Sequence, residues 1–146
     1  MATWRNWSGK LSATPARLHH LRSEDEAAAV AAEAAAAGTT VRPLGAGHSH
    51  APLVPTSGII VDTSGLSGVV STDAALQRAW VYAGTPIHAL GRALHDAGLA
   101  LANQGDIDRQ SIGGAVATGT HGTGPTLTNL SAAVVGARVA LVDGTI

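Results

Sequence analysis

The sequence predicts an α+β fold, on three observations. Two segments carry both a helix start signal and a helix stop signal. Short β-branched segments lie before, between and after them. The glycines gather in blocks at the ends of such segments instead of scattering. A β-α-β beginning with an antiparallel continuation is what an α+β domain requires.

Taken in order, the opening Trp4-Arg5-Asn6-Trp7 reads as irregular, and residues 16–21 as a short strand. A helix follows. Ser23 is its N-cap and Glu26, three residues on, completes a capping box. Glu24 and Asp25 complement the helix dipole. Residues 27–37 are strong helix formers, and Gly38 stops the helix. Residues 39–44 and 58–62 read as strands, as do 66–71 and 75–82, the latter two joined by a turn at Thr72-Asp73-Ala74. In the second helix Thr85 is the expected cap and Pro86 the first helical residue. Ile87, Leu90, Leu94 and Ala97 share one face, and Gly98 ends it. Residues 103–128 form a long irregular run, a length that compact domains usually reserve for function. Residues 132–142 read as a strand, followed by a hairpin-type turn at Asp143-Gly144.

Composition bounds the function. Of 146 residues, 45% are apolar and 13% charged, with a net charge of -1, so the chain can bury a core and has no basic footprint for nucleic acid. No apolar run reaches the roughly 18 residues needed to span a bilayer. No apolar signal core follows Met1-Ala2-Thr3-Trp4-Arg5, so a cytoplasmic location is expected. There is no cysteine, hence no disulfide, thiolate nucleophile or cysteine zinc site. There are 18 glycines and no phenylalanine, which leaves Ala, Val, Leu and Ile to build the core.

Two glycine blocks carry the chemistry. In Leu44-Gly45-Ala46-Gly47-His48-Ser49-His50, glycines two apart let main-chain N–H groups converge into an anion nest, suited to a pyrophosphate without any lysine. A nicotinamide-dinucleotide fingerprint needs a third glycine opening a helix; Ser49-His50 and then Pro52 stand there instead. The second block runs from Gly113 to Gly124, preceded by Gly105-Asp106 and Ser111. Its small residues leave room for a flat ring to lie on backbone, and Ser111, Thr118 and Thr120 offer hydroxyls. His48 and His50 form an H-x-H pair that could hold a metal with His121, but no carboxylate stands at helical spacing. His50 and His121 read as structural hydrogen-bond formers, and His19, His20, His88 and His95 as surface residues.

Together the two blocks resemble the FAD-binding PCMH-type domain of the vanillyl-alcohol oxidase superfamily, and within it the gulonolactone, arabinonolactone and alditol oxidases. The resemblance takes in Asn6-Trp7, Gly45-x-Gly47-His48-Ser49, Val81-x-Ala83-Gly84-Thr85, His95-x-x-Gly98-Leu99 and Thr118-Gly119-Thr120-His121-Gly122-Thr123-Gly124. It implies two α/β subdomains, residues 1–63 and the start of a second over 64–146, with the second cut short. It implies FAD, carried covalently through His48 to the flavin 8α-methyl carbon. The loop Leu44, Gly45, Ala46, Gly47, His48, Ser49 and His50 would cradle the pyrophosphate. Asp106, Ser111, Gly114, Ala115, Ala117 and Thr118 match positions lining the cofactor, although a small neutral residue is expected where Asp106 stands. Gly105 matches a position beside the flavin atom that reacts with oxygen, where side-chain size gates access.

The implied activity is oxidation of a hydroxyl in a sugar lactone or polyol, with oxygen as electron acceptor. The family's substrate domain and catalytic basic residues lie beyond this stretch, so no catalytic acid or base is assigned. A dehydrogenase using another acceptor is one alternative; a non-catalytic nucleotide- or partner-binding fragment is the other. An unpartnered apolar strand at residues 132–142 would favour self-association of the chain.

Overall fold

The computed structural model describes residues 3–146, which group into two units: the residues up to Leu66 with Arg138–Ile146, and Ser67–Ala137. The first unit begins with an antiparallel pair, β1 (Trp4–Arg5) and β2 (Ser12–Ala13), where the sequence reading had only irregular chain. Next come β3 (Arg17–His20), α1 (Glu24–Ala36), β4 (Val41–Leu44) and β5 (Ile59–Asp62). The three strands are parallel in the order β3-β5-β4, with Leu18 and Arg42 both opposite Ile60. The capping box forms: Ser23 Oγ accepts the Glu26 N–H at 3.1 Å, and the Glu26 carboxylate accepts the Arg22 N–H at 2.8 Å. Gly38 takes φ +60° just past the helix end, a conformation that favours glycine.

The central strand explains the packing. A parallel strand with neighbours on both edges and cover on both faces reads as a continuous apolar run, and Ile59, Ile60 and Val61 are all buried. Because side chains alternate between faces, Ile59 and Val61 pack with Leu21, Val30 and Ala34, on the α1 side. Ile60 points the other way, to Trp4 and Leu44. The alanines of α1 bring it close to the sheet. At Gly58 a Cβ would collide with the Thr40 carbonyl, so glycine lets β5 begin hard against the chain leading into β4.

In the second unit β6 (Val69–Asp73) and β7 (Arg78–Val81) form an antiparallel hairpin. Its turn is later than the expected Thr72-Asp73-Ala74, because Asp73 Oδ1 accepts the Leu76 N–H at 2.9 Å and Gln77 takes a positive φ of 53°. In α2 (Ile87–Asp96), Ile87, Leu90 and Leu94 are buried as the periodicity predicts. Thr85 does not cap it. Pro86 holds the N-cap position, while the buried Thr85 hydroxyl donates to the Tyr82 carbonyl at 2.6 Å and accepts the Gly68 N–H at 2.9 Å.

The run expected to be irregular contains a short helix, α3 (Ile112–Ala117), which packs Ala115 against Ile87 and Leu130. The expected strand over 132–142 is not formed among the described residues. A 3-10 turn, Leu130–Ala133, occupies its start, set by Asn129 Oδ1 accepting the Ala132 N–H at 3.0 Å. Beyond it Val134, Val135, Val139, Leu141 and Val142 are exposed. The turn at Asp143-Gly144 does form, with Gly144 at φ +85°. Among the described residues no helix is long and apolar enough to cross a membrane.

Ile60, fully buried between the sheet and Trp4, makes the first prediction. Ile60→Ala should destabilise the protein by about 3 kcal/mol, the transfer and cavity cost of a well-packed site. Urea unfolding followed by circular dichroism measures it; a loss below about 1 kcal/mol would contradict the packing described.

Candidate functional site

The first glycine block leaves β4 at Leu44, whose side chain is buried under the sheet beside Trp4 and Ile60. The chain then turns through Gly45-Ala46-Gly47 with Gly47 at φ +65°, facing Trp4. The opening loop between β1 and β2 backs this turn. Asn6 is buried, with Oδ1 accepting the Leu11 N–H at 3.0 Å. A main-chain N–H can only donate, so the Asn6 amide group Nδ2 must face the other way, and it donates to the Ser49 carbonyl at 3.2 Å. The Trp7 N–H donates to the Gly47 carbonyl at 3.2 Å, and Trp7 Nε1 to the His48 carbonyl at 3.0 Å.

Three consecutive carbonyls, of Gly47, His48 and Ser49, are thus held by two adjacent residues. Among the described residues, the N–H groups of Gly45 to His50 reach no acceptor. Every main-chain donor needs a partner, and a run of unpaired donors in a glycine turn is a ready anion nest. Gly45, Gly47, His48 and Ser49 are half-buried, Ala46 and His50 exposed. Ser49 Oγ accepts the Ala51 N–H at 3.1 Å, closing the loop. The Trp7 indole stacks on the His48 imidazole, ring centres 5.0 Å apart and planes 20° apart, and meets His50 edge-on at 5.8 Å.

The second block lies within the second unit. Residues 108–113 run beside 83–88: the Ile87 N–H donates to the Gln110 carbonyl, the Ile112 N–H to that of Thr85, and the Gly113 N–H to that of Ala83. A Cβ at Gly113 would come within 2.9 Å of both the Cβ and the carbonyl of Ala83, so this approach requires glycine. Ser111 is buried, and among the described residues its hydroxyl has no hydrogen-bond partner. Leaving a buried hydroxyl unpaired costs about 1–3 kcal/mol, which marks it as a group awaiting a partner. A Cβ at Gly114 would stand 3.3 Å from that hydroxyl, so glycine keeps the approach to it open.

Thr118 is exposed and donates to the Gly114 carbonyl at 3.0 Å, and Ala117 is exposed beside it. Ala115, by contrast, has its side chain in the core, so any ligand would meet its main chain. Gly105 is half-buried, and a Cβ there would lie 2.9 Å from Thr120 Cγ2. Asp106 is exposed and lines a depression of about 550 Å³ with His95, Asn103 and Gln104. Of the other histidines, His20, His88 and His95 are exposed as expected; His19 is half-buried, its Nε2 3.7 Å from Glu26. His121 is exposed, its Nδ1 2.8 Å from the Gly122 carbonyl. Among the described residues no three of His, Asp and Glu gather in a set that could hold a metal ion.

In the first unit, unpaired N–H groups on a glycine turn fit a pyrophosphate; in the second, an orphaned buried hydroxyl in a glycine-rich cradle fits the polar edge of a ring. Comparison with known proteins agrees. The chain belongs to the FAD binding domain family, whose model matches residues 15–146. It is 42% identical over 141 residues to L-gulono-1,4-lactone dehydrogenase of Mycobacterium tuberculosis, covering 97% of this chain and 33% of that protein. It is 37% identical to D-arabinono-1,4-lactone oxidase of Eremothecium gossypii, over 84% of this chain and 24% of the other. The crystal structure of cholesterol oxidase from B. sterolicum matches it with a TM-score of 0.70 and 25% identity, over 82% of this chain and 24% of that one. The chain therefore spans about a third or less of the length of these relatives. Its place among FAD-binding domains follows from the family match.

What sequence reasoning missed is the work of Asn6 and Trp7. They belonged to the family pattern, but nothing near them in the chain signals that they grip a loop some 40 residues away.

Proposed function

We propose that this chain supplies the FAD-binding part of an enzyme that oxidises a hydroxyl of a sugar-1,4-lactone, with FAD attached through His48 and oxygen as electron acceptor. The observation that carries the reading is the loop Leu44–His50, with its carbonyls tied back and its N–H groups free. That loop would hold the pyrophosphate, and His48 stands on it, half-buried. Ser111 and the main chain at Gly114 and Ala115 would meet polar edges of the cofactor, with Thr118, Ala117 and Asp106 beside them. When bound, FAD supplies the two-electron acceptor for the substrate's carbinol hydrogen and passes the electrons on.

Lactone rather than polyol is favoured by the names of the relatives, several of which are lactone oxidases or dehydrogenases. Cytoplasmic location belongs to the same reading, with the small-molecule lactone and oxygen as partners. Covalent attachment has a direct test. Acid precipitation of the full-length protein should leave the yellow colour in the pellet, and His48→Ala should release it to the supernatant. Colour that washes out of the parent protein would end the covalent assignment.

The acceptor needs its own test, because the Mycobacterium relative is named a dehydrogenase. In the oxidase reading, the missing side chain at Gly105 leaves oxygen its path. The close approach of Thr120 Cγ2 means that any side chain at 105 must also displace Thr120. Thr120→Ser removes that methyl and keeps the hydroxyl that accepts from Gln110 Nε2 at 3.2 Å. Gly105→Ala in the Thr120→Ser background should therefore slow stopped-flow reoxidation by air about tenfold or more, compared with Thr120→Ser alone. Equal rates would give Gly105 a packing role only. Slow reoxidation in the parent would establish the dehydrogenase reading.

A further inference from the structure

We infer that Trp7 is the positioning residue for His48: it fixes the plane of the imidazole and thereby the direction in which a ring nitrogen can attack. The inference rests on the reading that His48 carries FAD, and it concerns the chain's own residues. Among the described residues, neither ring nitrogen of His48 makes a hydrogen bond. The usual device for orienting a functional imidazole, a hydrogen bond from its second nitrogen, is therefore missing, and the ring would otherwise turn freely about its side-chain bonds. What holds it is the indole face, 5.0 Å away and 20° from parallel. The same residue holds the main chain beneath, because Nε1 donates to the His48 carbonyl and the Trp7 N–H to that of Gly47. One side chain thus sets both the backbone that carries the imidazole and the plane of the ring.

The exposure of Trp7 argues in the same direction. It is 57% exposed, unlike Trp4 at 9%, so it contributes little to the core of its unit. A large apolar ring left half in solvent and stacked on a histidine is placed for local contact. The stack also leaves both imidazole nitrogens unencumbered, as a nucleophile requires. Attachment forms one N–C bond and breaks one C–H bond of the flavin methyl group. The methyl carbon is oxidised by two electrons, which reduce the ring together with the methyl and imidazole protons; dioxygen then removes both electrons and both protons as hydrogen peroxide. The imidazole must face the methyl carbon for this to happen, and the indole restricts it to one plane.

The test uses Trp7→Leu, which removes the aromatic face and the indole N–H, and Trp7→Phe, which keeps a face and removes only the indole N–H. Two readouts are taken on the full-length protein. In the flavin-free protein, NMR reports the shielding of the His48 ring protons by the indole. In the presence of FAD, the growth of acid-stable colour is followed with time, with total bound FAD measured before acid is added. Trp7→Leu should move the His48 ring protons toward free-imidazole positions and slow attachment about tenfold, counted per molecule of FAD bound. Trp7→Phe should retain most of the shielding and of the rate. Unmoved ring protons, or attachment at the parental rate in Trp7→Leu, would overturn the assignment. Should the parent protein show no acid-stable colour, the attachment reading fails by itself, and the ring-proton shifts still decide whether Trp7 orients His48.

Discussion

The structure of the candidate site depends on three hydrogen bonds, those by which Asn6 and Trp7 hold the carbonyls of Gly47, His48 and Ser49. A main chain through a glycine turn has many conformations open to it. Fixing three successive carbonyls selects one and disposes the N–H groups of the same peptides away from the tie. An anion site made of main-chain donors has no side-chain charge to steer its ligand. Its affinity therefore rests on how well those donors converge before the ligand arrives.

That tie in turn needs a firm base, which the parallel sheet provides. Asn6 lies just past β1, and β1 is anchored because Trp4 packs on Ile60 and Leu44. Leu44 is the last residue of β4 and the first of the glycine loop. The same small apolar cluster thus seats both partners of the clamp, and the central strand β5, buried from Ile59 to Val61, holds them at a fixed separation. In the second unit the corresponding device is backbone on backbone. Gly113 lies against Ala83, and the buried Ser111 hydroxyl faces a position where Gly114 adds no side chain.

Much of this was legible in the sequence, and the reasons are local. Ser23 and Glu26 cap α1 because a capping box acts over three residues. Residues 58–62 read as a strand because a run of β-branched side chains suits few other conformations, and the glycine spacing at Gly45 and Gly47 announced the turn, with Gly47 at positive φ. The failures lie where a distant partner or a competing local bond decides. Thr85 looked like a cap, yet its hydroxyl is taken by Tyr82 and Gly68. Residues 132–142 have strand propensity, but a strand needs a neighbour to hydrogen-bond with, and Asn129 opens a 3-10 turn at their start. Ala115 sits in a stretch expected to line the cofactor, while its own side chain serves the core. The grip of Trp7 on His48 spans 41 residues, and no periodicity carries information over that distance.

The central claim is that the N–H groups of Gly45–His50 are preset donors awaiting an anion. Amide hydrogen exchange, read residue by residue with and without FAD, tests it most directly. Exchange at Gly45 to His50 should be fast in the flavin-free protein, where these groups lack acceptors, and should slow about tenfold or more on FAD binding. The N–H of Trp7, already bonded to Gly47, should be slow in both states. Amides of Gly45–His50 that are protected without FAD, or exchange at the same rate with it, would contradict the account.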